Sequence, residues 1–304
     1  MALEVMTKSV DLNESLPAFD FSGQVTAFVY GLSGFYLSFG DDDHHLQTAS
    51  VTLNATLNDN LVNVTPTIVF KDHSGNSYSA SDSTISVTVV AWVGEGADRN
   101  VKFVNWGRSI ENGQSSETID IGTRPLSTNA LLAGFDVSYG DTDHHVERIF
   151  ANVGTDPSGK NVKLTASVGM YDHSGNNAST KTANAGLLAT VAKEPGFEIQ
   201  VIPQGGHTVT FKEEVDEVVA IINGFDVSYS GTDHHVEDFG LYCFLTRSAL
   251  TSPWNGIYSY QPTPKNAFLI ADPDLYDDSD HSGNGKCSMI VIGRYKQEKK
   301  EQNT

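Results

Sequence analysis

The chain has 304 residues, an apolar fraction of 39% and a formal net charge of −19 at pH 7. This acidity argues against nucleic acid and anionic membrane surfaces as partners, because both are recognised through Lys and Arg. No run approaches the ~18 apolar residues of a membrane span, and residues 1–15 lack the basic and apolar regions of a signal peptide. We therefore expect a soluble, cytoplasmic protein, or one released without a cleaved signal peptide.

Two short motifs occur three times and together hold nine of the ten histidines. Asp-His-His stands at 43–45, 143–145 and 233–235, and Asp-His-Ser-Gly-Asn stands at 72–76, 172–176 and 280–284. A Gly-Phe pair precedes each Asp-His-His motif at one fixed spacing. This common register predicts three copies of one module, with boundaries at 1–96, 97–194 and 195–304.

β-Strand signals dominate every copy. Leading strands are predicted in 5–28, 101–121 and 198–219, and each is followed by the Gly-Phe strand, the Asp-His-His turn, a hairpin and a closing strand. The closing strand at 84–93 alternates and is rich in β-branched residues. Amphipathic helical periods are absent. The chain is therefore predicted to be all-β, with three tandem antiparallel β-sandwich modules related by an internal repeat.

The third copy is the longest. The aspartates of its two motifs are 47 positions apart, against 29 in the other copies, which predicts an insertion at about 248–274. Exposed Trp and Tyr are platforms for sugar rings and protein partners, and loop-like stretches supply four candidate ligand-binding aromatics: Trp106, Trp254, Tyr258 and Tyr260. The phenylalanines of the Gly-Phe pairs are expected in the core. Cys243 and Cys287 are expected as reduced thiols.

The Asp and His residues of the two motifs form the predicted metal sites. In the second copy the expected set is Asp143, His144 or His145, Asp172 and His173. Mixed imidazole and carboxylate ligands suit Zn, Mn, Fe or Ni better than Ca. The full set of candidate ligands is Asp43, His44, His45, Asp72, His73, Asp143, His144, His145, Asp172, His173, Asp233, His234, His235, Asp280 and His281.

Two alternatives to metal binding stay open. The Asp-His pairs can fix the loops through hydrogen bonds alone, or they can contact a ligand directly. Asp172, His173 and Ser174 have the residue types of a hydrolase triad, but adjacent residues do not form that relay.

The strand order around LLAGFDVSYGDTDHH (131–145) and the closing strand resembles that of the H-type family of small β-sandwich lectins. The resemblance covers more than half of each copy and rests on the strand pattern. It implies a β-sandwich fold and carbohydrate as a ligand class, and it carries over no sugar-binding residue.

Triplication favours binding over catalysis, because linked weak sites gain avidity whereas catalysis needs one tuned site. We therefore predict a non-catalytic, multivalent binding protein with lectin-like recognition of carbohydrate or of a protein surface. One alternative is a structural, self-assembling protein whose modules mimic a trimer and which forms homo-oligomers. The other is a metal-dependent enzyme with an open coordination position in the third copy.

Overall fold

The computed structural model describes residues 2–193, 195–203, 207–247, 263–279 and 281–296. The ranges 1–96, 97–194 and 195–304 are called the first, second and third segments below. The strands of the first segment are β1 (Ala2–Asp11), β2 (Phe19–Asp20), β3 (Val25–Ser38), β4 (Thr48–Asn58), β5 (Leu61–Lys71) and β6 (Thr84–Val93).

The described parts of the second and third segments also consist of β-strands, and one 3-10 turn (Ala97–Arg99) precedes the strands of the second segment. The strands of the second segment are β7 (Val101–Asn105), β8 (Ile110–Glu111), β9 (Ile119–Asp120), β10 (Ser127–Ser138), β11 (Arg148–Ser158), β12 (Asn161–Tyr171) and β13 (Thr180–Thr190). Those of the third are β14 (Phe197–Pro203), β15 (His207–Thr210), β16 (Val215–Ser228), β17 (Asp238–Thr246), β18 (Asn266–Tyr276) and β19 (Asn284–Tyr295). Among the described residues, no helix is long and apolar enough to cross a membrane.

The strands form three antiparallel sheets, so the all-β prediction is confirmed. Their strand orders are β1-β6-β3-β17-β18-β15, β2-β5-β4-β10-β13-β7 with β8 beside β13, and β14-β19-β16-β11-β12-β9. Each sheet therefore combines strands of two segments: first with third, first with second, and third with second. The closing strand predicted at 84–93 coincides with β6.

Three strand pairings join the segments, and we call them seams. Their central strands β3, β10 and β16 come from different segments and contact one another. At each seam the Gly-Phe phenylalanine of the central strand lies in the same register relative to the neighbouring segment: Phe35 opposite Leu241, Phe135 opposite Val51, and Phe225 opposite Ala151. A slip of one residue would turn every side chain to the other face, so the shared register directs the three phenylalanines to the same interior.

The glycine of each Gly-Phe pair lies close to the neighbouring strand at its seam, and a Cβ at Gly34 would lie 3.1 Å from the carbonyl oxygen of Leu241. A Cβ at Gly134 would lie 2.5 Å from the carbonyl oxygen of Val51, and one at Gly224 would lie 2.9 Å from the Cα of Asn152. Distances under 3.0 Å to backbone atoms force the strands apart. The central strand also carries a register shift just before each glycine, typical of a β-bulge.

The main hydrophobic core has members from all three segments, and a second, smaller cluster also has members from all three. Phe35, Phe135 and Phe225 form a triangle of rings whose centroids lie 5.3–5.6 Å apart. All three are at most 3% exposed, which confirms the expectation that they are core residues. Phe239 adds a fourth ring, 5.2 Å from Phe35. Cys243 and Cys287 are not joined by a disulfide bond, in agreement with the expectation of reduced thiols.

The insertion of the third segment lies in a hairpin connection. β17 ends at Thr246 and β18 begins at Asn266, and the two strands pair along their length. Residues 266–274 of the range in which the insertion is predicted, about 248–274, belong to strand β18. Residues 248–262 lie outside the described residues, and Trp254, Tyr258 and Tyr260 lie among them.

We predict that Phe135→Ala lowers the free energy of unfolding by about 3–5 kcal/mol, because it leaves a cavity where three segments meet. Equilibrium denaturation monitored by circular dichroism measures the change. Phe244→Ala is the matched control, since Phe244 is 37% exposed and its removal leaves no closed cavity. Equal losses in both variants would contradict a central role for the phenylalanine triangle.

Candidate metal centre at the meeting point of the segments

Three histidines, one from each segment, meet where the Asp-His-His loops converge. His45, His145 and His235 pack edge to face with ring centroids 4.5–4.7 Å apart, and one ring nitrogen of each lies within 4.8 Å of the others. We call them the histidine triad. With the phenylalanine triangle they give the centre of the molecule a threefold arrangement.

Each triad imidazole faces an aspartate of another segment through its Nδ1. The three N···O distances close a ring around the triad: 3.7 Å from His45 to Asp143, 3.6 Å from His145 to Asp233, and 2.9 Å from His235 to Asp43. The second carboxylate oxygen of Asp143 also accepts a hydrogen bond from the backbone N–H of His73, at 3.0 Å. The first motif aspartate is therefore a link between segments.

The surroundings of His45 favour its neutral imidazole, and those of Asp43 favour its ionised carboxylate. Burial, with the neighbouring His145 and His235, lowers the pKa of His45 below its ordinary value. Burial works against ionisation of Asp43, but hydrogen bonding from His235 lowers its pKa. A carboxylate at Nδ1 orients an imidazole so that Nε2 is free to bind a metal. Three such imidazoles form a donor set suited to Zn²⁺, with a fourth position open.

The first histidine of each Asp-His-His motif pairs within its own segment. Its Nδ1 lies 2.9–3.4 Å from a buried carboxylate in three pairs: His44 with Asp72, His144 with Asp172, and His234 with Asp277. The imidazoles of these pairs pack on Phe39, Tyr139 and Tyr229 at 4.6–4.8 Å. Successive histidines therefore serve different contacts, as expected for residues on opposite sides of an extended chain.

The second motif is a turn closed by its aspartate. One carboxylate oxygen of Asp72 accepts the backbone N–H groups of Gly75 and Asn76, both at 2.8 Å, and the other accepts the Asn76 amide at 2.5 Å. Gly75 adopts a φ of 104°, a left-handed conformation that favours glycine. Burial opposes ionisation of Asp72, but these hydrogen bonds lower its pKa.

In the third segment the carboxylate of this turn is Asp277, whereas the motif match pointed to Asp280. Asp277 pairs with His234, and Asp280 lies outside the described residues. From Asp233 to Asp277 is 44 positions, against 29 in the other segments, so the insertion has 15 residues. The third turn keeps the backbone hydrogen bond from its aspartate to the fourth residue after it, but its sequence differs from the motif.

The four-residue metal set expected within the second segment is not assembled. His144 and Asp172 meet, but Asp143 faces His45 across a seam. His173 is exposed and lies 3.4 Å from Glu147. Trp106 is only partly exposed and packs against the core, so it does not offer the open platform that was expected.

The third segment also holds a hydroxyl, an imidazole and a carboxylate in sequence. The Thr232 hydroxyl lies 3.1 Å from Nε2 of His234, whose Nδ1 lies 2.9 Å from Asp277. The same hydroxyl donates to the carbonyl of Tyr229 at 3.3 Å, so its proton already has an acceptor. In the first segment the corresponding residue is Asp42. We therefore interpret the contacts among Thr232, His234 and Asp277 as interactions that stabilise the loop.

Two seams carry outward clefts that the sequence did not indicate. A cleft of about 490 Å³ at the β11–β16 seam is lined by Arg148, Tyr171, Asp226 and Lys286. The Arg148 guanidinium donates to both carboxylate oxygens of Asp226 and to the Tyr171 hydroxyl. These residues come from two segments and stand outside the repeated motifs, so no sequence pattern connects them.

The second cleft, of about 450 Å³, crosses the β3–β17 seam. Its lining includes Tyr36, Asp11, Glu14 and Tyr242, and Tyr242 is 63% exposed. This cleft is acidic and aromatic, whereas the first carries Arg and Lys.

Comparison of the chain with models of known protein families and with curated proteins found no match.

We predict that Asp72→Asn lowers the free energy of unfolding at pH 7 by about 1–3 kcal/mol, because a buried, multiply hydrogen-bonded carboxylate is lost. The folded-state pKa of Asp72 is depressed, so its contribution is present above the unfolded value of 3.8 and is lost as pH falls through the lower folded value. The difference in the free energy of unfolding between variant and wild type should therefore become smaller below about pH 4.

Denaturant unfolding at several pH values measures that difference. Asp98→Asn is the control, because Asp98 is exposed. A difference for Asp72→Asn that stays constant down to pH 2 would contradict the prediction.

Proposed function

We propose that the chain is a non-catalytic, multivalent binding protein whose three β-sandwich modules form a trimer within one polypeptide. The observation that carries this proposal is the ring of Asp–His contacts around the histidine triad, one at each seam. The same register at all three seams supports it. The repeated residues then serve to join the modules, and ligand contacts belong to the outward clefts.

Carbohydrate is the ligand class that we propose first. The cleft at the β11–β16 seam offers the guanidinium of Arg148, the hydroxyl of Tyr171 and the carboxylate of Asp226, which together can donate to and accept from sugar hydroxyls. The cleft at the β3–β17 seam adds exposed tyrosine surface suited to a sugar ring. Two clefts fixed on one rigid body can bind a branched ligand with avidity.

We predict that Arg148→Ala weakens glycan binding at least about 10-fold, because a good charged hydrogen bond is worth about 1.5–3 kcal/mol. Wild type is screened on an array of immobilised oligosaccharides, and the affinity for a positive glycan is then measured by calorimetry. Arg108→Ala is the matched control, because Arg108 forms an exposed ion pair with Glu117 outside the clefts. A wild type that binds no glycan, or variants with equal affinity, would contradict recognition of carbohydrate in this cleft.

We propose further that the histidine triad holds one divalent metal ion, Zn²⁺ before Mn²⁺, Fe²⁺ or Ni²⁺. A metal on the three imidazoles would tie all three modules together, and its binding free energy would add to the stability of the fold. Metal content by mass spectrometry, on protein purified without a His-tag, should fall by one equivalent per chain in His145→Gln. His73→Gln removes a motif imidazole outside the triad and should leave the content unchanged. Equal content in all three proteins would refute the triad site.

Exposed apolar side chains favour a second candidate function, a self-assembling structural component. Leu126 is 58% exposed, Val201 54% and Tyr242 63%, and burial of such groups drives association. Under this alternative, sedimentation velocity should show oligomers that grow with protein concentration. A single species of one-chain mass at all concentrations would exclude it.

A further inference from the structure

The third segment differs from the others at one position of the aspartate-closed turn. Four residues after the turn aspartate stand Asn76 in the first segment, Asn176 in the second and His281 in the third. The three turns share one backbone hydrogen bond, in which the N–H of the aspartate donates to the carbonyl of that fourth residue at 3.1, 3.1 and 3.3 Å. An imidazole therefore takes the place of an amide at the same position relative to the turn aspartate.

This substitution places two imidazoles on one carboxylate oxygen. The Nδ1 atoms of His234 and His281 lie 2.9 and 2.8 Å from Oδ2 of Asp277. The two rings have centroids 4.3 Å apart. One ligand atom from each of the three side chains lies within 4.8 Å of the others. The first two segments have the equivalent His–Asp pair, but they lack the second imidazole.

Neighbouring groups hold this cluster in place from behind. The Asp277 side chain is 5% exposed, and its Oδ1 accepts the backbone N–H groups of Ser279 and His281 at 3.0 and 2.9 Å. Burial opposes ionisation of Asp277, but these bonds lower its pKa. The Thr232 hydroxyl, 3.1 Å from Nε2, orients the ring of His234. Such outer contacts are what hold metal ligands in position.

The solvent side of the cluster is open. The His281 side chain is 56% exposed, so water or another ligand can reach the space in front of the three donors. Asp278 follows directly in sequence, and the chain carries a net charge of −19, which raises the local concentration of cations.

We propose that His234, Asp277 and His281 form a second divalent-metal site, present only in the third segment and separate from the histidine triad. Two imidazoles and one carboxylate with open positions suit Zn²⁺, Co²⁺, Ni²⁺ or Fe²⁺. A metal ion binds each imidazole through the lone pair of Nδ1, so each neutral ring carries its single proton on Nε2, and the Nε2–H of His234 donates to the Thr232 hydroxyl. The site makes the three-module protein chemically asymmetric.

The test measures Zn²⁺ bound per full-length chain at equilibrium, with Co²⁺ absorption as a second readout of imidazole coordination. All proteins carry His145→Gln, which disables the triad, so the result does not depend on whether the triad binds metal. Three proteins are compared: this background, the background with His281→Asn, and the background with Asn176→His. His281→Asn installs the residue that the other two segments already carry at this position.

One Zn²⁺ is expected in the background and none with His281→Asn. With Asn176→His two are expected, because the second segment then gains a second imidazole beside His144 and Asp172. Equal binding in the background and in His281→Asn, or no binding in either, would overturn the proposal. A gain in Asn176→His cannot arise from misfolding, and the absence of that gain would overturn the claim that the three side chains alone make the site.

Discussion

The strand pairing across the seams is the constraint on which the rest of the structure depends. Each central strand approaches a strand of another segment closely at a glycine, and at Gly134 and Gly224 a Cβ would clash with the facing backbone. The next residue is then a phenylalanine directed to the common interior. The loop that follows each central strand is carried to the same central point, where the triad histidines meet. The fold thus brings together side chains that are 90 to 190 positions apart in sequence.

The repeated motifs predicted which structural elements occur in each segment, but they did not predict which segments contact each other. The strands, the three motif registers and the burial of the phenylalanines follow from local patterns that repeat identically. The partner of His45 could not be predicted in this way. A repeated sequence does not show whether two of its residues meet within one copy or between two copies. In the third turn the motif match was misleading. Asp280 matches the motif, but Asp277 is the aspartate that pairs with His234. The residues that line the two clefts belong to no repeated motif, so the sequence did not predict the clefts.

Inner and outer positions of the seams differ in how much their residues vary among the three segments. One serine of each central strand is constant, but the residue opposite it changes: Asp238 opposite Ser38, Thr48 opposite Ser138, and Arg148 opposite Ser228. In a trimer of identical chains these three environments would be the same. In a single polypeptide each of these environments can have its own residues, so one scaffold can carry an acidic cleft, a cleft with an Arg–Asp pair and a His–Asp–His cluster.

The seam between β3 and β17 joins the two ends of the ring, and its strands are separated by about 200 residues. The other two seams join segments that are neighbours along the chain. The β3–β17 seam can form only after β17 has been synthesised. Until then β3 has an unpaired edge, of the kind that recruits foreign strands. Long-range pairing of this type slows folding. A chain cut before β17 should therefore aggregate rather than persist as a smaller version of the protein, and ring closure becomes the step on which its yield in the cell depends.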